Sequence, residues 1–181
     1  MQVPPLPAET MNLRCCVFLF ALVLSGCAAY SGAGLKPGTS TEAEVRALMG
    51  VPAMHWDIPG GGRQLAYSRG PAGFQTYMVF IDAAGKLERT VNVLRQESFA
   101  KVQPGMTQAQ VLQLIGPPQP QWEAYFKARD ELVWEWRFCD SWNQAARFDV
   151  LFDGTTKIVR TAYSWQESQK SNYPISCGQS E

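Results

Sequence analysis

Acid–base or metal chemistry needs side chains that exchange protons or donate lone pairs near neutral pH, and this chain of 181 residues offers few. Its one histidine, His55, stands beside Trp56 in a stretch that reads as a strand, where a partly exposed structural role is expected. The five cysteines lie at positions 15, 16, 27, 139 and 177, with no Cys/His spacing of a zinc site and no Ser/His/Asp or Cys/His set. Gly60-Gly61-Gly62-Arg63 would present backbone donors to a phosphate, but it lacks the Lys-Ser/Thr ending of a phosphate loop and reads as a hairpin loop. Asp82 and Asp153 could pair as carboxylates, yet their matched places near glycines mark them as turn residues. The inventory therefore argues against an enzyme and calls for no metal or cofactor.

The aromatic residues carry more information. Trp122, Tyr125, Phe126, Trp134, Trp136 and Trp142 gather in one short segment, more than a single sheet face can bury. Trp134 and Trp136 are expected in the core. Trp122, Tyr125, Phe126 and Trp142 lie near expected loops, where a rim of aromatics suits a protein interface or the headgroup zone of a membrane. Lys plus Arg and Asp plus Glu both total 16, so the chain has no net charge and no global attraction for nucleic acid.

The elements that must position these residues occur twice. Pro37-Gly38 with Thr41, Val45, Leu48, Met49, Gly50 and Pro52 recurs as Pro104-Gly105 with Thr107, Val111, Leu114, Ile115, Gly116 and Pro118. Asp82, Lys86, Arg89 and Thr90 recur at one constant offset as Asp153, Lys157, Arg160 and Thr161, and Gln96-Glu97-Ser98 returns as Gln166-Glu167-Ser168. Thr41 with Glu44, and Thr107 with Gln110, predict capping boxes that open short helices; the glycines end them and the prolines forbid continuation. The period then changes to two. Leu132, Trp134, Trp136 and Phe138 alternate with Glu131, Val133, Glu135 and Arg137, Phe148, Val150 and Phe152 follow, and Leu65, Tyr67, Tyr77, Val79 and Ile81 are the earlier counterparts. Hairpin turns at Asp82–Gly85 and Asp153-Gly154 lead into 87–94 and 158–165. The expected fold is α+β: two tandem repeats, each a short helical segment packed on a three- to four-stranded antiparallel sheet. The connector 98–103 has Phe99 and Val102 at helical spacing and no Gly/Ser linker, which predicts one compact body.

The N-terminus has a different character. Arg14 precedes an apolar run, Cys15 to Leu24, too short to span about 30 Å of hydrocarbon, so it reads as a signal peptide starting at Met11. Leu24-Ser25-Gly26-Cys27 resembles the lipobox of bacterial lipoproteins. The resemblance implies recognition of Leu24, Ser25 and Gly26 by the signal peptidase and a covalent lipid on Cys27, the new N-terminus. Ala28, with no Asp there, resembles lipoproteins sorted to the outer membrane. With Cys15 and Cys16 removed and Cys27 acylated, Cys139 and Cys177 remain, either as a disulfide formed in an oxidising periplasm or as two buried thiols.

The segments Lys36-Pro37-Gly38 to Pro52 and Val102-Gln103-Pro104-Gly105-Met106-Thr107 to Pro118 resemble the signature of the BamE (SmpA/OmlA) outer-membrane lipoprotein family. That resemblance implies a helical pair with a three-stranded antiparallel sheet, and service in the machinery that inserts β-barrel proteins into the outer membrane. BamE proteins carry the domain once; here the signature occurs twice. Tandem repeats also resemble the secreted β-lactamase inhibitor proteins, which leaves a lipid-anchored enzyme inhibitor as the alternative. The expected organisation is a signal peptide at 1–26, a lipidated N-terminus and linker at 27–34, BamE-like repeats at 35–98 and 99–168, and a tail at 169–181. The expected place is the periplasmic side of the outer membrane, bound to barrel-assembly or other envelope proteins.

Overall fold

The computed structural model describes residues 31–70, 73–171 and 173–178. Leu24, Ser25, Gly26 and Cys27, with the signal peptide, lie outside the described residues.

Two helices open in the same way. In α1 (Glu42–Met49) Thr41 Oγ1 accepts from Glu44 N at 3.2 Å, while Glu44 Oε2 accepts from Thr41 N at 2.6 Å. Ahead of the later helix, Gln108–Ile115, Thr107 and Gln110 exchange the same pair at 3.3 and 2.8 Å. Each reciprocal pair satisfies two groups that a helix start leaves bare. The four strands β1 (Met54–Ile58), β2 (Gly62–Ser68), β3 (Thr76–Ile81) and β4 (Leu87–Asn92) follow α1 and pair antiparallel in chain order. A short α2 (Gln96–Phe99) then leads to α3, the helix Gln108–Ile115. The second sheet is β5 (Ala124–Phe126), β6 (Glu131–Cys139), β7 (Ala145–Asp153) and β8 (Val159–Gln166), again antiparallel in chain order, and α4 (Ser168–Ser171) closes it.

Smaller features match as well. Thr41 bridges Lys86 and Thr107 bridges Ile158. Register shifts fall between Phe80 and Ile81 in β3 and between Leu151 and Phe152 in β7, each just ahead of the turn aspartate. The α+β architecture, with two four-stranded antiparallel sheets each preceded by short helices, is consistent with two tandem units.

Packing follows strand alternation. Leu65, Tyr67, Val79 and Ile81 face one side of the first sheet and enclose Val45 and Met49 of α1. The opposite side, with Ala66 and Met78, packs on Val111 and Ile115 of α3, which share one cluster with Trp134, Trp136, Phe148, Val150 and Phe152 of the second sheet. Helix α3 thus fills the space between the sheets. Gly116 makes that approach feasible: it has φ 76° and ψ −175°, and a Cβ there would lie 2.8 Å from Thr76 Cγ2. Its carbonyl also accepts from Trp136 Nε1 at 3.2 Å, so one residue touches both sheets.

Candidate partner-binding face

Among the described residues, the outer side of the second sheet is met by the one-turn α4, whose Lys170 lies over the Trp165 ring, and by the 3-10 turn Pro120–Trp122, and the rest of it stays open. By register, Val133, Glu135 and Arg137 of β6 lie opposite Leu151, Asp149 and Arg147 of β7, which lie opposite Thr161, Tyr163 and Trp165 of β8. Side chains at paired positions share a face. Together with Trp122, Phe126 and Lys170 most of these residues line an open groove of about 740 Å³.

Charged groups on this face are coupled. Glu167 accepts from Arg137 Nε and Nη2, both at 2.7 Å, and from Arg147 Nε; Arg147 Nη1 also donates to Glu135. Burial would raise the Glu167 carboxyl, but these donors outweigh it and hold it below the ordinary carboxylate range. Asp149 has the opposite balance. It is only 7% exposed, its Oδ2 accepts from Trp165 Nε1 at 2.9 Å, and its Oδ1 is buried with no hydrogen-bond partner. Burial, and the Glu135 carboxylate directly across the strands, push Asp149 up to about 6, against the pull of the Trp165 N–H.

The structure brings two of the four expected aromatics to this groove. Trp122, in a 3-10 turn over Pro120–Trp122, lies over the Arg147 guanidinium with 3.8 Å to the ring centre, and Phe126 holds Arg129 at 4.5 Å. Tyr125 points to the other side of β5, where its hydroxyl donates to Asp130 Oδ1 at 2.7 Å. Trp142 is 79% exposed in the turn between β6 and β7 and does not line the groove. Cys139 and Cys177 form a disulfide with Cα atoms 5.9 Å apart. It fastens the tail beside that turn, where Ala145 N also donates to Ile175 O at 2.7 Å.

The residues set aside on chemical grounds sit accordingly. His55 is exposed on β1, and Gly60 and Gly61 turn the chain into β2. Asp82 Oδ1 accepts from the backbone of Ala84 and Lys86, and Asp153 Oδ1 from Thr155 and Thr156. No group of three or more His, Cys, Asp or Glu placed to hold a metal occurs among the described residues. Sequence reasoning missed Glu135, Arg137, Arg147, Asp149, Tyr163, Trp165 and Glu167 as a set. Their alternation with the core residues was the available signal; the cross-strand register that joins them was not.

The fold is α+β, and the outer face of its second sheet carries an open groove lined by aromatic and charged side chains. Residues 91–129, the end of β4 through β5, match the model of the outer membrane protein assembly factor BamE domain, and this stretch is BamE-like. No curated protein matches the chain. Among solved structures, a DUF4309 family protein (YjgB) of Bacillus subtilis subsp. subtilis str. 168 shares 16% identity over 77% of this chain and 91% of its own, at a TM-score of 0.28. An extracellular protein containing a SCP domain from Bacillus anthracis str. Ames shares 12% identity over 72% of this chain and 44% of its own, at a TM-score of 0.26. Superpositions this loose carry no functional argument.

Proposed function

We propose that this chain is a lipid-anchored accessory protein of outer-membrane β-barrel assembly, facing the periplasm and binding a partner protein through the open face of its second sheet. The observation that carries the reading is the contrast between sheets. Helices cover both sides of the first, whereas on the second, among the described residues, Trp122, Phe126, Tyr163 and Trp165 line an open groove. Aromatic side chains around a desolvated polar centre favour protein association. The BamE-like match supports the setting, and Cys27 in its lipobox-like sequence supplies the anchor. In this reading the chain comprises a signal peptide, a lipidated linker and two units at 35–98 and 99–168.

An inhibitor acting through one concave surface across both sheets has less support, because α3 already covers the corresponding side of the first. Co-isolation from detergent-solubilised envelopes is the test. Barrel-assembly components should be recovered with the wild-type chain, and their consistent absence would overturn the reading.

A further inference from the structure

The chain contains its own example of what covers this kind of sheet face. On the first sheet, Met78 and Phe80 stand four and two residues before Asp82; on the second, Asp149 and Leu151 stand at the same distances before Asp153. The register shifts after Phe80 and after Leu151 fall at matching places and support this correspondence. Met78 lies beneath α3, where Gln64 Nε2 donates to Gln113 O at 2.6 Å and approaches Met78 Sδ at 3.3 Å. A short amphipathic helix is therefore the element that this side of the first sheet accepts.

The difference between the faces specifies the missing chemistry. Asp149 replaces Met78, and its buried Oδ1 has no donor while Glu135 faces it across the strands. Three neighbouring cations are already paired, Arg147 with Glu135 and Glu167, Arg137 with Glu167 and Arg129 with Glu131, while Lys170, over the Trp165 ring at 4.2 Å, favours the Asp149 carboxylate only from a distance. A further cation would pair with Asp149 and relieve the facing carboxylates, while Tyr163 and Trp165 would pack on its methylenes.

We propose that the outer face of the second sheet receives an amphipathic helix of a partner protein, anchored by a Lys or Arg that pairs with Asp149. This rests on the protein-binding reading above and narrows it to one kind of segment. The probe is a stapled peptide of residues 107–117 of this chain, made in Gln113→Lys and Gln113→Glu forms. Each is titrated into the full lipidated chain in detergent micelles while the Trp165 indole N–H resonance is followed by NMR.

The Lys form should bind at least tenfold more tightly than the Glu form and move the Trp165 signal; Asp149→Asn, which keeps the side-chain shape, should reduce the ratio to near one. Equal affinities, no binding of either peptide, or a preference that survives Asp149→Asn would overturn the inference. Co-isolation with Asp149→Lys separates the two readings. Barrel-assembly partners retained by that variant would defeat the helix proposal while leaving the accessory role in place.

Discussion

Asp149→Asn should stabilise this protein at neutral pH, an unusual direction for a substitution at a buried polar site. Burial and the facing Glu135 carboxylate push the folded-state carboxyl up from its ordinary 3.8 to about 6. Between those values the native state binds more protons, so stability falls as pH rises through the interval and levels off above about 6. The shift of roughly two pH units, at about 1.4 kcal/mol each, sets a ceiling near 3 kcal/mol for the penalty at pH 7.5. Part of this should be relieved on acidification to pH 5, as Asp149 takes up a proton in the native state.

Asn retains an oxygen to accept from Trp165 and offers an N–H₂ towards Glu135, while removing the facing negative charge. Urea titrations at pH 5, 6 and 7.5, followed by tryptophan fluorescence, give the difference between variant and wild type, in which shared groups cancel. The window stays above the range where Glu167, held low by Arg137 and Arg147, would begin to lose its contribution. The variant should gain up to about 3 kcal/mol at pH 7.5 and show a shallower pH dependence. A variant less stable than wild type at pH 7.5, with the same slope, would refute the assignment of the penalty to Asp149.

Other positions test the packing and the anchor. Gly116→Ala should cost about 1–3 kcal/mol from its backbone conformation alone, with a further loss because the new Cβ meets Thr76; Gly50→Ala, with φ 85° and open space around it, should show only the first component. Thermal melts of the two variants compare them directly. Opening the disulfide by Cys139→Ala with Cys177→Ala should cost up to about 4 kcal/mol in the chain-entropy model for a separation of 38 residues, and hydrogen exchange should rise at Ala145 N as the tail detaches. Cys27→Ser should release the protein from the membrane fraction; a variant that stays there as the wild type does would show that lipid is not the anchor.

The legible parts of the fold were those with a local physical cause. Thr41 with Glu44 and Thr107 with Gln110 each complete a cap within one helical turn, so spacing alone announces them. Trp134, Trp136 and Phe138 alternate with Glu135 and Arg137, so the buried side of β6 was readable too. Trp122 and Phe126 were recognised as surface aromatics, but their grouping with Tyr163 and Trp165 depends on contacts between distant strands. Glu135 and Asp149 lie on strands whose alternation places each opposite its core residues, and nothing local links the two. They become a coupled pair only because β6 and β7 align them directly across from one another, and register is a property of the assembled sheet.

The corresponding positions Met78 and Asp149 then explain why the two sheets need not share a role. A methionine beneath α3 adds apolar contact and leaves no polar atom to satisfy, which suits a face closed within the chain. An aspartate at the same place, buried beside a second carboxylate, opposes folding, as the predicted stability gain of Asp149→Asn expresses. A residue that weakens the free protein can still favour a complex when a partner cation converts the same charge into an ion pair. The two experiments on Asp149→Asn therefore bear on one physical claim. The substitution that strengthens the free protein should also erase its preference for the basic helix.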